Sequence, residues 1–156
     1  METKTIRTRT PTFRTSQTEK RDRIGELKKC FADLRASPTF DKICASIDAD
    51  LAQDNDVPEA GNDMTAEQVL VCIVVKGLRN ITYPELSALT EDSICVRDLM
   101  NLGNFDDGFD SSIIHQNIDK ITKETLEETL DLIFDAIISS GAKVYRENLT
   151  ERLARP

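Results

Sequence analysis

An all-α domain of about seven helices around one buried central helix is what this sequence predicts, and three observations predict it. Apolar residues recur at spacings of three and four through several separate stretches, the signature of a helix with one buried face. Ser, Thr or Asp stands at the start of most of these stretches, where a side-chain oxygen can satisfy a free helix amide. With 5% aromatic residues, no Trp and a 39% apolar share, the core must be built mainly from Leu, Ile and Val.

Residues 1–16, METKTIRTRTPTFRTS, alternate Thr with Arg and carry no apolar period, so they read as a disordered basic arm. A first helix is expected from about Thr18 to Arg35 on the stripe Ile24, Leu27, Phe31 and Leu34. A second is expected to start at Ser37 with Pro38 in its first turn, on the stripe Phe40, Ile43, Ile47 and Leu51. The stretch AQDNDVPEAGND, residues 52–63, has loop composition.

Thr65 and Gln68 then form a capping-box pair ahead of Val69–Val75, which is apolar on every side and marks the central helix. The β-branched run could also serve a core strand, but it has a cap and no partner strand. Thr82-Tyr83-Pro84-Glu85 repeats the capping pattern, and Asp92 or Ser93 starts another short helix. After a loop from Gly103 to Asp110, the segment DSSIIHQNIDKI reads as a helix with Ile113, Ile114, Ile118 and Ile121 inward. Thr122 starts the last expected helix, striped by Leu126, Leu130, Ile133, Ile137 and Ile138, and Gly141 suits a left-handed cap. The expected organisation is therefore an arm (1–16), a helical domain (17–141) and a tail (142–156).

Charge is distributed unevenly. Residues 1–35 hold ten Lys/Arg against five Asp/Glu, whereas the remainder holds ten against twenty-three, within a net charge of −8. An acidic body argues against indiscriminate coating of DNA, so nucleic-acid contact should be local. The longest apolar run is too short to span a bilayer, and the first twenty residues contain no apolar signal region. Cys30, Cys44, Cys72 and Cys95 lie in apolar helical patterns without C-x-x-C spacing, which predicts buried free thiols in a reducing cytoplasm.

Two segments have helix-turn-helix dimensions: 82–101, and 110–140 less convincingly. Such a unit sets one short helix in the major groove while its partner braces it. Arg97 is the one basic side chain of the first unit, and Lys76 and Arg79 end the preceding helix. Ser112, Gln116 and Asn117 are expected on the outer face of the second unit, with His115 at the boundary; amide side chains can pair with adenine edges. Arg7, Arg9 and Arg14 suit a minor groove or a run of phosphates. A single histidine with no ligand-spaced cysteine argues against a metal site, and the acidic run Asp48, Asp50, Asp54, Asp56, Glu59 and Asp63 lacks the glycine of a calcium loop. That run is read as a solvated surface. No nucleophile elbow or phosphate loop is present, so neither an enzyme site nor a cofactor is expected.

Read in order, MTAEQVLVCIVVKGL, ITYPELSALTEDS, VRDLMNLG and TKETLEETLDLIFDAI resemble the N-terminal helical domain of bacterial insertion-sequence transposases of the ISNCY-type group, over residues 18–145. The order and spacing of these words carry the resemblance. It implies binding of double-stranded DNA at a transposon's inverted repeats, in the bacterial cytoplasm or on its nucleoid. In that family a nuclease-like domain follows, whose Asp/Asp/Glu carboxylates hold the metals of phosphoryl transfer. Here the corresponding region reads Gly141 to Asn148, and Asp135 is the last aspartate. The resemblance thus implies a DNA-binding domain without the cutting machinery. The alternative reading is a protein-interaction module that forms a homodimer through the Leu126–Ile138 stripe.

Overall fold

The structure, a computed structural model, describes residues 25–52, 64–139 and 146–156. Eight helices occupy them, and no strand occurs among the described residues. They are α1 (25–36), α2 (Phe40–Ala52), α3 (Ala66–Arg79), α4 (Tyr83–Asp92), α5 (Ile94–Leu99), α6 (Ser111–Asp119), α7 (Lys123–Ser139) and α8 (Arg146–Ala154). The basic arm, residues 53–63 of the expected loop and Gly141 lie outside the described residues.

Helix α3 is the axis of the fold and packs against α2, α4, α5, α6 and α8. Every residue from Val69 to Val75 is at most 1% exposed, as an apolar run with no polar face requires. Its start is fixed by the expected capping box. Thr65 Oγ1 accepts from the Gln68 amide at 3.2 Å, and Gln68 Oε1 accepts from the Thr65 amide at 3.0 Å. At its other end Asn80 adopts a left-handed conformation, φ 53° and ψ 55°, and its amide closes on the Lys76 carbonyl at 2.9 Å. Thr82 and Ser93 cap α4 and α5 by accepting from the Glu85 and Val96 amides at 3.3 Å each.

Helix α2 begins at Phe40 rather than at Ser37. The Ser37 hydroxyl accepts from the Thr39 amide at 3.4 Å and pairs with the Thr39 hydroxyl at 3.0 Å, a local turn that competes with the first helical turn. Asp50, expected on a solvated acidic surface, is 7% exposed. Its carboxylate accepts from the Thr122 amide at 3.0 Å and the Thr122 hydroxyl at 3.1 Å, joining the end of α2 to the start of α7.

One expectation about the C-terminal half is corrected. The tail is part of the domain: α8 packs on α3 and α7 and buries Leu149 and Leu153 at 1% and 7% exposure. Within the α7 stripe, Leu130 and Ile133 are buried, Leu126 is half-buried and Ile138 is 49% exposed.

All four cysteines are free thiols. Burial pushes Cys72 up to about 12, and burial with the neighbouring Asp33 carboxylate does the same for Cys30. The unfolded chain releases these protons near pH 8.5–9 while the native state keeps them up to about 12. The native state therefore binds more protons in that window, and this contribution makes stability fall as pH rises through it. The expected result is that neither Cys30 nor Cys72 reacts with a thiol reagent at pH 8 until denaturant is added. Mass spectrometry of labelled peptides checks this, and native-state labelling of Cys72 would contradict the buried packing of α3.

Candidate nucleic-acid interface

Four basic side chains, Lys76, Arg79, Arg152 and Arg155, meet at the turn that follows α3. Gly77 lets α8 lie close to α3 there: a Cβ at this position would stand 3.1 Å from Leu149 Cδ2. The last carbonyls of α8 have no partners within their own helix, and Lys76 supplies one. Its ammonium donates to the carbonyls of Arg152 at 2.8 Å, Arg155 at 2.6 Å and Ile81 at 2.9 Å, and sits 4.6 Å from the centre of the Tyr83 ring. Burial and then the Arg155 charge lower its pKa, with Glu85 acting in the opposite sense. Three N–H groups meeting three carbonyls use the whole donor capacity of the ammonium.

This lock sets three guanidinium groups around Asn80. Arg152 returns a bond from Nη1 to the Gly77 carbonyl at 2.8 Å, and Arg155 Nη1 reaches the Asn80 carbonyl and Oδ1 at 3.5 and 3.4 Å. Arg79, at the end of α3, has a buried Nε with no hydrogen-bond partner. Two clefts share Asn80 and Arg152. One, of about 360 Å³, is completed by Asn148, Glu151 and Arg155; the other, of about 240 Å³, by Glu26, Leu78 and Arg79. Among the described residues that line these clefts, three arginines against two glutamates make this a locally basic surface on an acidic protein.

The sequence-based candidates divide sharply. Arg79 lies in the basic surface, and Lys76 lies beneath it. At 0% exposure Lys76 builds the surface but offers no donor to a phosphate, which corrects its expected role. Arg97 is half-exposed, but its guanidinium is committed to the protein's own backbone. Its guanidinium donates to the carbonyls of Thr90 at 2.8 Å, Gly103 at 2.6 Å and Asp106 at 2.6 Å, so it clasps the 103–109 loop instead of facing DNA. The unit 82–101 thereby loses its one basic reader, and its second helix, α5, has only six residues. The arm residues Arg7, Arg9 and Arg14 lie outside the described residues.

On α6, Ser112 and Gln116 are exposed as expected, with the Ser112 hydroxyl donating to Asp110 Oδ2 at 2.8 Å. Asn117 is not on the outer face. It is 4% exposed and donates from Nδ2 to the Ile113 carbonyl at 2.8 Å, because its position falls beside Ile118 on the inward arc. Exposed His115 stacks on Tyr83 with ring centres 4.4 Å apart and faces Asp119 at 3.3 Å. Tyr83 thus touches both the Lys76 lock and the helix that presents Gln116.

Arg152 and Arg155 were missed by sequence reasoning. Their i, i+3 spacing and the Leu149/Leu153 pair were the available signals for a short helix with one basic and one apolar face. A comparison of the chain with models of known families, with curated proteins and with solved structures finds no match. Among the described residues no group of His, Cys, Asp and Glu could hold a metal ion, and no helix is long and apolar enough to cross a membrane.

Proposed function

We propose that this chain is a DNA-binding domain of the transposase N-terminal kind, directed at transposon ends. The observation that supports the reading most strongly is the convergence of Arg79, Arg152 and Arg155 on the Asn80 turn. Guanidinium groups grip phosphate oxygens through charge-assisted and often paired hydrogen bonds. In this reading the cluster and the arm residues Arg7, Arg9 and Arg14 hold the backbone. Gln116, with Ser112, reads base edges from the exposed face of α6.

The test is a titration of the full chain against a duplex carrying the repeats that flank its gene and against a scrambled duplex, at two salt concentrations. In the double variant R79A/R155A, binding to both duplexes should weaken, and the slope of log K against log salt should fall by about 0.9 for each phosphate no longer neutralised. Arg155→Ala leaves the backbone carbonyl that Lys76 holds, so the fold is spared. Gln116→Ala should instead reduce the preference for the cognate duplex by about 1–3 kcal/mol. Equal binding to both duplexes sinks the reading role of α6, and no binding to either sinks the whole proposal.

A further inference from the structure

We propose that the cleft between the α4–α5 junction and the 103–108 loop is a docking site for the chain's own N-terminal residues 1–16. The motivating observation is a pair of large apolar side chains held in water. Ile94 is 86% exposed and Phe105 fully exposed, against 49% for Ile138, the next most exposed large apolar side chain among the described residues.

Phe105 does not stand out because its loop is loose. The Asp106 amide closes a turn on the Gly103 carbonyl at 3.1 Å, the Gly103 amide donates to Asp106 Oδ2 at 2.6 Å, and Arg97 pins the backbone carbonyls of Gly103 and Asp106. The far side of the loop is fixed too. The Phe109 amide donates to Thr90 Oγ1 at 2.9 Å, and a Cβ on Gly108 would come within 2.6 Å of Glu91 Cγ. A built turn that presents an aromatic ring at its tip is organised for contact.

The cleft beside it, of about 500 Å³, is lined by Ile94 and by carboxylates of Glu91, Asp92, Asp106 and Asp107. Among the described residues its one lining cation, Arg97, is already satisfied by backbone carbonyls. The surface therefore calls for an occupant that is basic and interspersed with apolar side chains. Residues 1–16 have that chemistry: Lys4, Arg7, Arg9 and Arg14 against Glu2, with Ile6 and Phe13 between them.

Reach does not forbid the contact. Glu26, near the start of α1, lines a cleft with Asn80, and α4 then spans about 15 Å to the site. Twenty-four preceding residues extend to about 80 Å. Tethering sets the arm's local concentration in the millimolar range, so a weak contact suffices. On the function proposed above, DNA and this cleft would compete for one arm. That consequence rests on the DNA reading, whereas the docking itself does not, and its test contains no DNA.

The experiment places a nitroxide on Thr10→Cys in the full chain, with Cys44 and Cys95 changed to Ser, and reads amide broadening by NMR. Broadening confined to residues 91–108 is expected. It should disappear at high salt, in D92K/D107K and in F105S, the last touching neither charge nor core. In parallel, trypsin should cut after Arg7, Arg9 and Arg14 about tenfold more slowly in the parent than in D92K/D107K, as for a segment docked about nine-tenths of the time. Broadening elsewhere, or none, overturns the proposal. So does broadening that appears only on unlabelled copies mixed with labelled ones, which would assign the cleft to a second molecule.

Discussion

Val74→Asp is expected to abolish the cooperative melting transition of this protein. Val74 is fully buried at the centre of α3, the helix that touches five others. An aspartate there loses the roughly 1.5–3 kcal/mol that burial of the valine contributes. It also places a carboxyl group in the apolar core, at a cost of several kcal/mol more. A domain of this kind is stable by about 5–15 kcal/mol in total, so the two effects together consume most of the margin. Val74→Thr separates charge from shape. Its hydroxyl can bond back to a carbonyl one turn earlier, so it should cost only about 1–3 kcal/mol and keep the transition. Circular-dichroism melting of the two variants decides the matter. If V74D melts like the parent, α3 is not the core.

Most of the helical framework was legible because its determinants are local. The Thr65–Gln68 box, the Thr82 and Ser93 caps and the run Val69–Val75 each depend on residues within one or two turns of one another. The failures share the opposite property. Lys76 and Arg97 are both basic residues in plausible positions, and sequence shows their charge but not the oxygens they will meet. For Lys76 two of the three acceptors lie more than seventy residues away, one on a helix that was not expected at all and one just past its end.

That helix was hidden for a physical reason. Residues 146–154 are mostly polar, and Leu149 and Leu153 alone supply the apolar side. Its stability comes from docking beside Gly77 and not from its own pattern. The candidate site followed the same division. Arg79 was visible as the end of an obvious helix, while Arg152 and Arg155 became part of a site only because α8 folds back. Asn117 and Asp50 show the converse error, in which a polar residue was read as exposed although the fold supplied it with partners.

Lys76→Met is therefore expected to release α8 while leaving much of the remaining domain helical. Methionine keeps the length and apolar stem of lysine but cannot donate to the carbonyls of Ile81, Arg152 and Arg155. Each carbonyl stranded away from water costs about 1–3 kcal/mol. Against this stands a gain, since the variant no longer buries an ammonium group, a burial that the lowered pKa of Lys76 records as unfavourable. The carbonyl losses should win, because all three acceptors sit at 2.6–2.9 Å and those of Arg152 and Arg155 lie at the end of α8. Relief comes most cheaply by detaching α8, which exposes those carbonyls to water at the cost of uncovering Leu149 and Leu153. The signature is thus local before it is global. Amide hydrogen exchange at Leu149 and Leu153 should accelerate far more than at Val71 or Ile73, and trypsin should cut after Arg152 in the variant but not in the parent. If K76M keeps both the α8 protection and the parent's melting temperature, water or a shifted backbone can satisfy the carbonyls. Lys76 would then not be what holds the three arginines together.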